Sequence, residues 1–210
     1  MYLPKHFEET RPEILRGLIE AHPLGTLVTL TPGGLEANHI PFEFDDGPPA
    51  TLTGHVARAN PLWSDFLPDT EALVIFQGPG TYVSPAWYPA KAAHGRVVPT
   101  WNYTAVHAYG RIRAVEDPRW LRRFVERLTN RHEADRPGPW KVSDAPAEYV
   151  DRMLGAIVGL EITVSRLVGK WKMSQNRDAA DRQGVARALR ESDEASTRAM
   201  ADLIERSGPA

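Results

Sequence analysis

Two spacings of apolar residues run through this chain, one at every second position and one at every third or fourth, and they divide it into strands and helices. Val158, Leu160, Ile162, Val164 and Val168 alternate as a strand buried on one face does. From Trp101 to Val115 the same period places Val106, Ala108, Ile112 and Ala114 on one side and His107, Tyr109, Arg111 and Arg113 on the other. Gly25 to Leu30 reads as a strand, Pro32-Gly33-Gly34 as its turn, and Ile40, Phe42 and Phe44 as inward positions of the returning strand. Asp46-Gly47-Pro48-Pro49 closes that hairpin. A further strand over Thr51 to Val56 sets Leu52, Gly54 and Val56 against Thr51, Thr53 and His55. Ala72 to Phe76 is an apolar strand, and Thr81 to Ser84 reads as a separate short one.

Helical spacing appears over Pro12 to Ala21, with Ile14, Leu15, Leu18 and Ile19 inside and Thr10 as the expected cap. Asn60-Pro61 starts a short helix through Phe66. Asp117-Pro118 opens another through about Arg131, because proline suits the first helical turn and Leu121, Phe124, Val125 and Leu128 follow in register. A short helix precedes the strand that starts near Ala156, and helices over Ala179 to Glu191 and Ala195 to Arg206 finish the chain. Ser84 to Pro99 reads as a long loop with a functional role, and Glu133 to Pro146 as a linker. Because tight turns join most of the strands, the pattern predicts a mainly β fold, an antiparallel barrel with peripheral helices. The expected division is a barrel domain with inserted helices over 1–176 and a C-terminal helical extension over 177–210.

At 210 residues and 42% hydrophobic the chain can bury a substantial core. Zero cysteines exclude disulfides, thiolate metal sites, iron-sulfur clusters and a cysteine nucleophile, and fit a reducing cytosol. The first residues lack the apolar core of a signal peptide, and no segment approaches membrane-spanning length, so a cytoplasmic protein without membrane contact is expected. A formal charge of -2 means that nucleic acid would need a local basic patch.

The run Gly169-Lys170-Trp171-Lys172-Met173-Ser174-Gln175-Asn176-Arg177 concentrates cations and short polar side chains between a strand and a helix that Asp178 can cap. Such a junction offers ammonium, hydroxyl and amide donors beside a positive helix end, conditions that suit a phosphate; a solvated turn is the alternative. His55-Val56-Ala57-Arg58-Ala59-Asn60-Pro61 delivers an imidazole from a strand and a guanidinium able to hold a phosphate or carboxylate. Val98-Pro99-Thr100-Trp101-Asn102-Tyr103 offers an indole, an amide and a phenol, a set suited to a planar heteroaromatic ligand. His39, on the returning strand, reads as a structural histidine. There is no Gly-x-Ser-x-Gly elbow, no His-Glu-x-x-His and no tight carboxylate pair, so hydrolytic and metalloprotease chemistry has no footing.

These segments together resemble the PaiB family, described as FMN-binding negative transcriptional regulators with a split-barrel fold related to that of pyridoxamine phosphate oxidases. The resemblance begins at Met1-Tyr2-Leu3-Pro4-Lys5-His6-Phe7. It continues through Gly54 to Trp63, Phe76-Gln77-Gly78-Pro79, Pro85 to Pro89, Val98 to Tyr103 and the Lys170 to Arg177 block, where Met173 replaces an expected leucine. It implies a homodimer that binds FMN noncovalently near the subunit interface. The residues expected to converge on the cofactor are His55, Arg58, Asn60, Trp101, Asn102, Lys170, Lys172, Ser174, Gln175 and Asn176.

Piperazate synthases look like members of the same family that use haem to form a nitrogen-nitrogen bond. In that alternative haem b replaces FMN, His55 is the axial ligand and Arg58 pairs with a propionate. An FMN-dependent oxidoreductase is a further alternative, by analogy of fold. DNA binding is implied by the family and not by the charge balance. The arginine-rich helix with Arg119, Arg122, Arg123, Arg127 and Arg131 carries Glu126 among its cations and reads as a solvated face.

Overall fold

The computed structural model describes residues 1–67 and 70–207. Its strands are β1 (Glu8–Glu9), β2 (Leu24–Thr31), β3 (Gly34–Pro41), β4 (Glu43–Asp45), β5 (Thr51–Ala57), β6 (Ala72–Val83), β7 (Thr100–Val115) and β8 (Ile157–Lys172). The helices are α1 (Pro12–Ala21), α2 (Leu62–Asp65), α3 (Ala90–His94), α4 (Pro118–Glu133), α5 (Ala147–Gly155), α6 (Ala179–Arg190) and α7 (Ala195–Arg206). The strands form one eight-stranded sheet in the order β3-β2-β6-β7-β8-β5-β4, with β1 added to β8. The registered pairs between β2 and β3, β2 and β6, β4 and β5, β5 and β8, and β1 and β8 are antiparallel.

The chain forms two compact units, one of residues 1–22, 76–107 and 168–210, the other of residues 23–75 and 108–167. Strands β6, β7 and β8 each give one end to each unit.

In the second unit the alternating pattern is realised as predicted. Ile40, Phe42 and Phe44 are buried, as are Leu52 and Val56 on the same face of β5 as Gly54. A side chain at Gly54 would meet Ile40 at 2.9 Å, so the absence of one lets the two strands' apolar faces close. Helix α4 begins where Asp117-Pro118 predicts, with the Asp117 carboxylate accepting from the Arg119 amide at 2.9 Å. Its buried Leu121 packs with Val142, Val150 and Leu154. The linker after α4 is not wholly irregular, since Val142–Asp144 makes a 3-10 turn that buries Val142.

In the first unit, α1 buries Leu15, Leu18 and Ile19 as expected. The expected Thr10 cap is absent. Arg11 is the N-cap residue, its amide is taken by the Glu9 carboxylate at 3.0 Å, and Pro12 needs no partner at the first turn. The Arg11 guanidinium beside Glu9 holds that carboxyl below the usual range. The segment expected to be two short strands, Ala72–Phe76 and Thr81–Ser84, is the single strand β6 through Gly78-Pro79-Gly80. Pro79 is tolerated because pairing with β2 ends at Thr26 opposite Ile75, so no ladder bond on that side is missing. The Ser84–Pro99 loop carries a 3-10 turn at Pro85–Trp87 and the short α3.

The largest difference concerns the Gly169–Arg177 run. Strand β8 continues to Lys172, and β1 pairs with it at Lys170 and Gly169, which gives these residues ladder partners no local pattern announces. The true turn is confined to Met173–Arg177, after which Asp178 caps α6 by accepting from the Asp181 amide at 2.8 Å. Among the described residues no helix is long and apolar enough to cross a membrane.

Candidate functional site

The ends of β7 and β8 in the first unit bring Thr100, Asn102, Lys172 and Ser174 together. Residues two apart on a strand share a face, so Thr100 with Asn102 on β7 meets Lys172 and its neighbour Ser174 beyond β8. Lys172 Nζ donates to Thr100 Oγ1 at 2.5 Å. Asn102 Nδ2 donates to Ser174 Oγ at 3.0 Å, and the Ser174 hydroxyl lies 3.4 Å from Asn102 Oδ1. Asn102 is 0% and Ser174 3% exposed, so the amide and the hydroxyl satisfy each other inside the protein.

Ser174 has φ +62°, and among the described residues it is the only one other than glycine in the left-handed region. Gln175 ties the same turn to the strand before it: its Oε1 accepts from the Met173 amide at 2.7 Å and its Nε2 donates to the Trp171 carbonyl at 2.5 Å. Asn176 is exposed at the turn's tip. Arg177 closes the turn, its amide donating to the Ser174 carbonyl at 3.0 Å while its guanidinium stacks 4.8 Å from the centre of the Tyr88 ring. Burial raises the Tyr88 phenol above its ordinary value, and the Arg177 charge partly offsets that rise.

Lys170 is buried, donates to the Tyr2 carbonyl at 3.0 Å and lies 5.2 Å from the Tyr103 ring centre. Trp101 points to the opposite face from Asn102; it is 58% exposed and meets Tyr82 edge-on at 6.3 Å.

Of the ten predicted residues, the first unit therefore contains Trp101, Asn102, Lys170, Lys172, Ser174, Gln175 and Asn176, and the second contains His55, Arg58 and Asn60. Arg58 is held by three partners. Its Nη1 pairs with Glu116 at 2.6 Å, its Nε donates to the Gly155 carbonyl at 2.9 Å and its Nη2 to the Ile157 carbonyl at 3.3 Å. It lines an open cleft of about 390 Å³ with Arg122, which is itself paired with Asp151 at 2.7 Å. Asn60 bridges Asn38 at 2.8 Å and accepts from the Leu62 amide at 2.9 Å, fixing the start of α2. His55 lies edge-on to Phe124 with its Nδ1 buried and without a hydrogen-bond partner, and burial lowers its pKa.

Three residues of the site escape a reading by segment: Thr100, Tyr88 and Arg177. Thr100 sits in the Val98 to Tyr103 block and Arg177 ends the Lys170 block, so parity with Asn102 and charge, respectively, were available as signals. Tyr88 had no comparable signal, because its contact with Arg177 is tertiary. The first unit also has a cleft of about 440 Å³ lined by Trp87, Tyr88, Lys91, Gly184 and Arg187.

A family described as "Putative FMN-binding domain" matches residues 1–166. The protease synthase and sporulation protein PAI 2 of Bacillus subtilis is 34% identical over 98% of this chain and 97% of its own length. Among solved structures, the flavocytochrome Anf3 of Azotobacter vinelandii superposes with a TM-score of 0.60 at 11% identity, covering 81% of this chain and 72% of that one. A FAD- and haem-binding protein of Mycobacterium smegmatis gives 0.59 at 17% identity, covering 85% and 79%. The shared fold is the antiparallel split barrel with peripheral helices.

Proposed function

The chain belongs to the PaiB family of FMN-binding split-barrel proteins, and from that premise we propose that it binds FMN, with the phosphate met by Lys172 and Arg177 at the ends of the Met173–Arg177 turn. The observation that carries this reading is a pair of cations without counterions. Among the described residues neither Lys172 nor Arg177 has a carboxylate partner, whereas Arg58, Arg113, Arg122 and Arg127 each do. A phosphate close to a dianion fits two such groups better than one. Lys172 spends one of its three donors on Thr100, which orients the ammonium and leaves two. Asp178 already takes an amide at the start of α6, so side-chain cations and not that helix end carry the charge match in this reading. Arg58, engaged by Glu116 and two carbonyls, is left out of the phosphate site.

FMN supplies redox chemistry when bound; this chain's residues bind and orient it. A second reading is haem, and one observation favours it: desolvation lowers the His55 pKa, which favours the neutral imidazole an axial ligand needs. The absorption spectrum of the purified protein separates the two. Flavin bands in the blue and near ultraviolet support the FMN reading, and an intense Soret band supports haem.

A homodimer completes the proposal, supported by the exposed aromatic pair Tyr82 and Trp101. Control of transcription is proposed on family grounds alone. On α4 the charges of Arg122 and Arg127 are met by Asp151 and Glu43, and the chain's net charge of -2 provides no general attraction to DNA.

A further inference from the structure

We propose that Asn102 is a positioning residue: by holding the Ser174 hydroxyl it locks Ser174 in the left-handed conformation, and that lock sets how the Met173–Arg177 turn places Arg177 toward the flavin phosphate. This rests on the FMN reading above. Asn102 was expected to touch the cofactor, but at 0% exposure its amide is spent on Ser174.

The left-handed region is unfavourable for a residue with a Cβ, and serine occupies it only where surrounding contacts demand it. Here φ is +62°, and the Ser174 side chain forms the buried pair with Asn102, at 3.0 and 3.4 Å. A glycine would adopt this backbone without help. That the position holds serine means that the turn's geometry is fixed from β7 instead of from its own backbone preference. The Arg177 amide bonds to the Ser174 carbonyl, and Gln175 separately bridges Met173 and Trp171. The consequence is mechanical. If Ser174 relaxes out of the left-handed region, the carbonyl that anchors Arg177 turns, and Arg177 loses its placement while Lys172 stays held at Thr100.

The test compares Asn102→Ala, Asn102→Ala/Ser174→Gly, Ser174→Ala and Ser174→Gly with the wild type. FMN and riboflavin are titrated into each, and amide exchange is followed over residues 173–177. Asn102→Ala is expected to weaken FMN at least tenfold while riboflavin changes by less than threefold, and to speed amide exchange across the turn. In the double variant glycine tolerates φ +62° unaided and no buried hydroxyl is stranded, so FMN affinity and exchange recover toward wild type. A residue that only filled space would give a double variant as weak as Asn102→Ala, and that result overturns the proposal. So does wild-type FMN binding and exchange in Asn102→Ala.

Should Asn102→Ala fail to fold, the Ser174 pair decides the matter. Both variants lose the hydroxyl, and only glycine accepts the backbone, so Ser174→Gly must retain FMN better than Ser174→Ala; equal losses overturn the proposal. Failure of the FMN reading is distinguishable, because it would appear as wild type that does not bind FMN, and the exchange of the 173–177 amides would still show whether Asn102 holds the turn.

Discussion

Lys172 Nζ meets Thr100 Oγ1 at 2.5 Å, joining the last residue of β8 to the first of β7. The ammonium is thus held between the ends of two strands, and among the described residues no carboxylate pairs with it. Preorganised charge of this kind needs little reordering to receive an anion. Lys172→Ala is expected to weaken FMN by about 1 to 3 kcal/mol, the range for a charge-assisted contact, and riboflavin much less. Parallel titrations of both flavins into wild type and variant measure the difference. Equal losses would place Lys172 against the ring system instead of the phosphate.

Histidine burial links stability to pH. The His55 imidazole is pushed below its ordinary value of 6.5 by desolvation, and His107 is lowered by burial, with the amino terminus and Lys170 adding to it. The folded state therefore binds fewer protons than the unfolded chain between the folded value and 6.5. Stability is full above that ordinary value, falls as pH drops through it, and levels off once pH lies below the folded values. Urea midpoints measured across this range should decline toward acid, and His55→Phe should flatten the decline, leaving the part due to His107. A midpoint that rises toward acid would contradict the assignment.

Glycines give a contrast that tests packing in the first unit. At Gly184 in α6 a Cβ would collide with the Trp87 carbonyl, so α6 lies directly against the turn that presents Tyr88. Gly184→Ala should destabilise by about 1 to 3 kcal/mol, the cost of overpacking. Gly17, inside α1, has nothing within 4 Å of the same atom. Gly17→Ala should stabilise by about 0.5 to 1 kcal/mol through helix propensity alone. Thermal melts of the two variants read both signs.

The strands were legible wherever one face is buried, because a period of two is a strong signal: Ile40, Phe42, Phe44, Leu52 and Val56 are inward as predicted. Helices with a start signal were equally legible, as Asp117-Pro118 and Asp178 show. What failed were elements fixed by pairing and not by local pattern. Pro79 reads as a break, yet lies in β6 beyond its registered partners on β2. The Gly169 to Arg177 run reads as a donor-rich junction between a strand and a helix, with a solvated turn as the alternative, and Gly169 to Lys172 lie in β8, where β1 pairs with Gly169 and Lys170.

The candidate site shows the same division. The residue types around Lys172 and Asn102 were visible, but their roles depend on burial and partners. Asn102, Ser174 and Gln175 turn inward to hold the turn, and Thr100, Tyr88 and Arg177 join the site through tertiary contacts. Arg58 carries a phosphate-like signature in sequence, but the Gly155 carbonyl at the end of α5, the Ile157 carbonyl at the start of β8 and Glu116 between β7 and α4 hold it.

The most direct test of FMN recognition through its phosphate is an equilibrium titration of the flavin-free protein with FMN, riboflavin and haemin under one set of conditions. Saturable FMN binding at one equivalent per chain is expected, with riboflavin weaker by at least the tenfold that about 1.4 kcal/mol of phosphate contact supplies, and no displacement of FMN by equimolar haemin. Equal affinity for FMN and riboflavin, or displacement of FMN by haemin with the appearance of a Soret band, would contradict it.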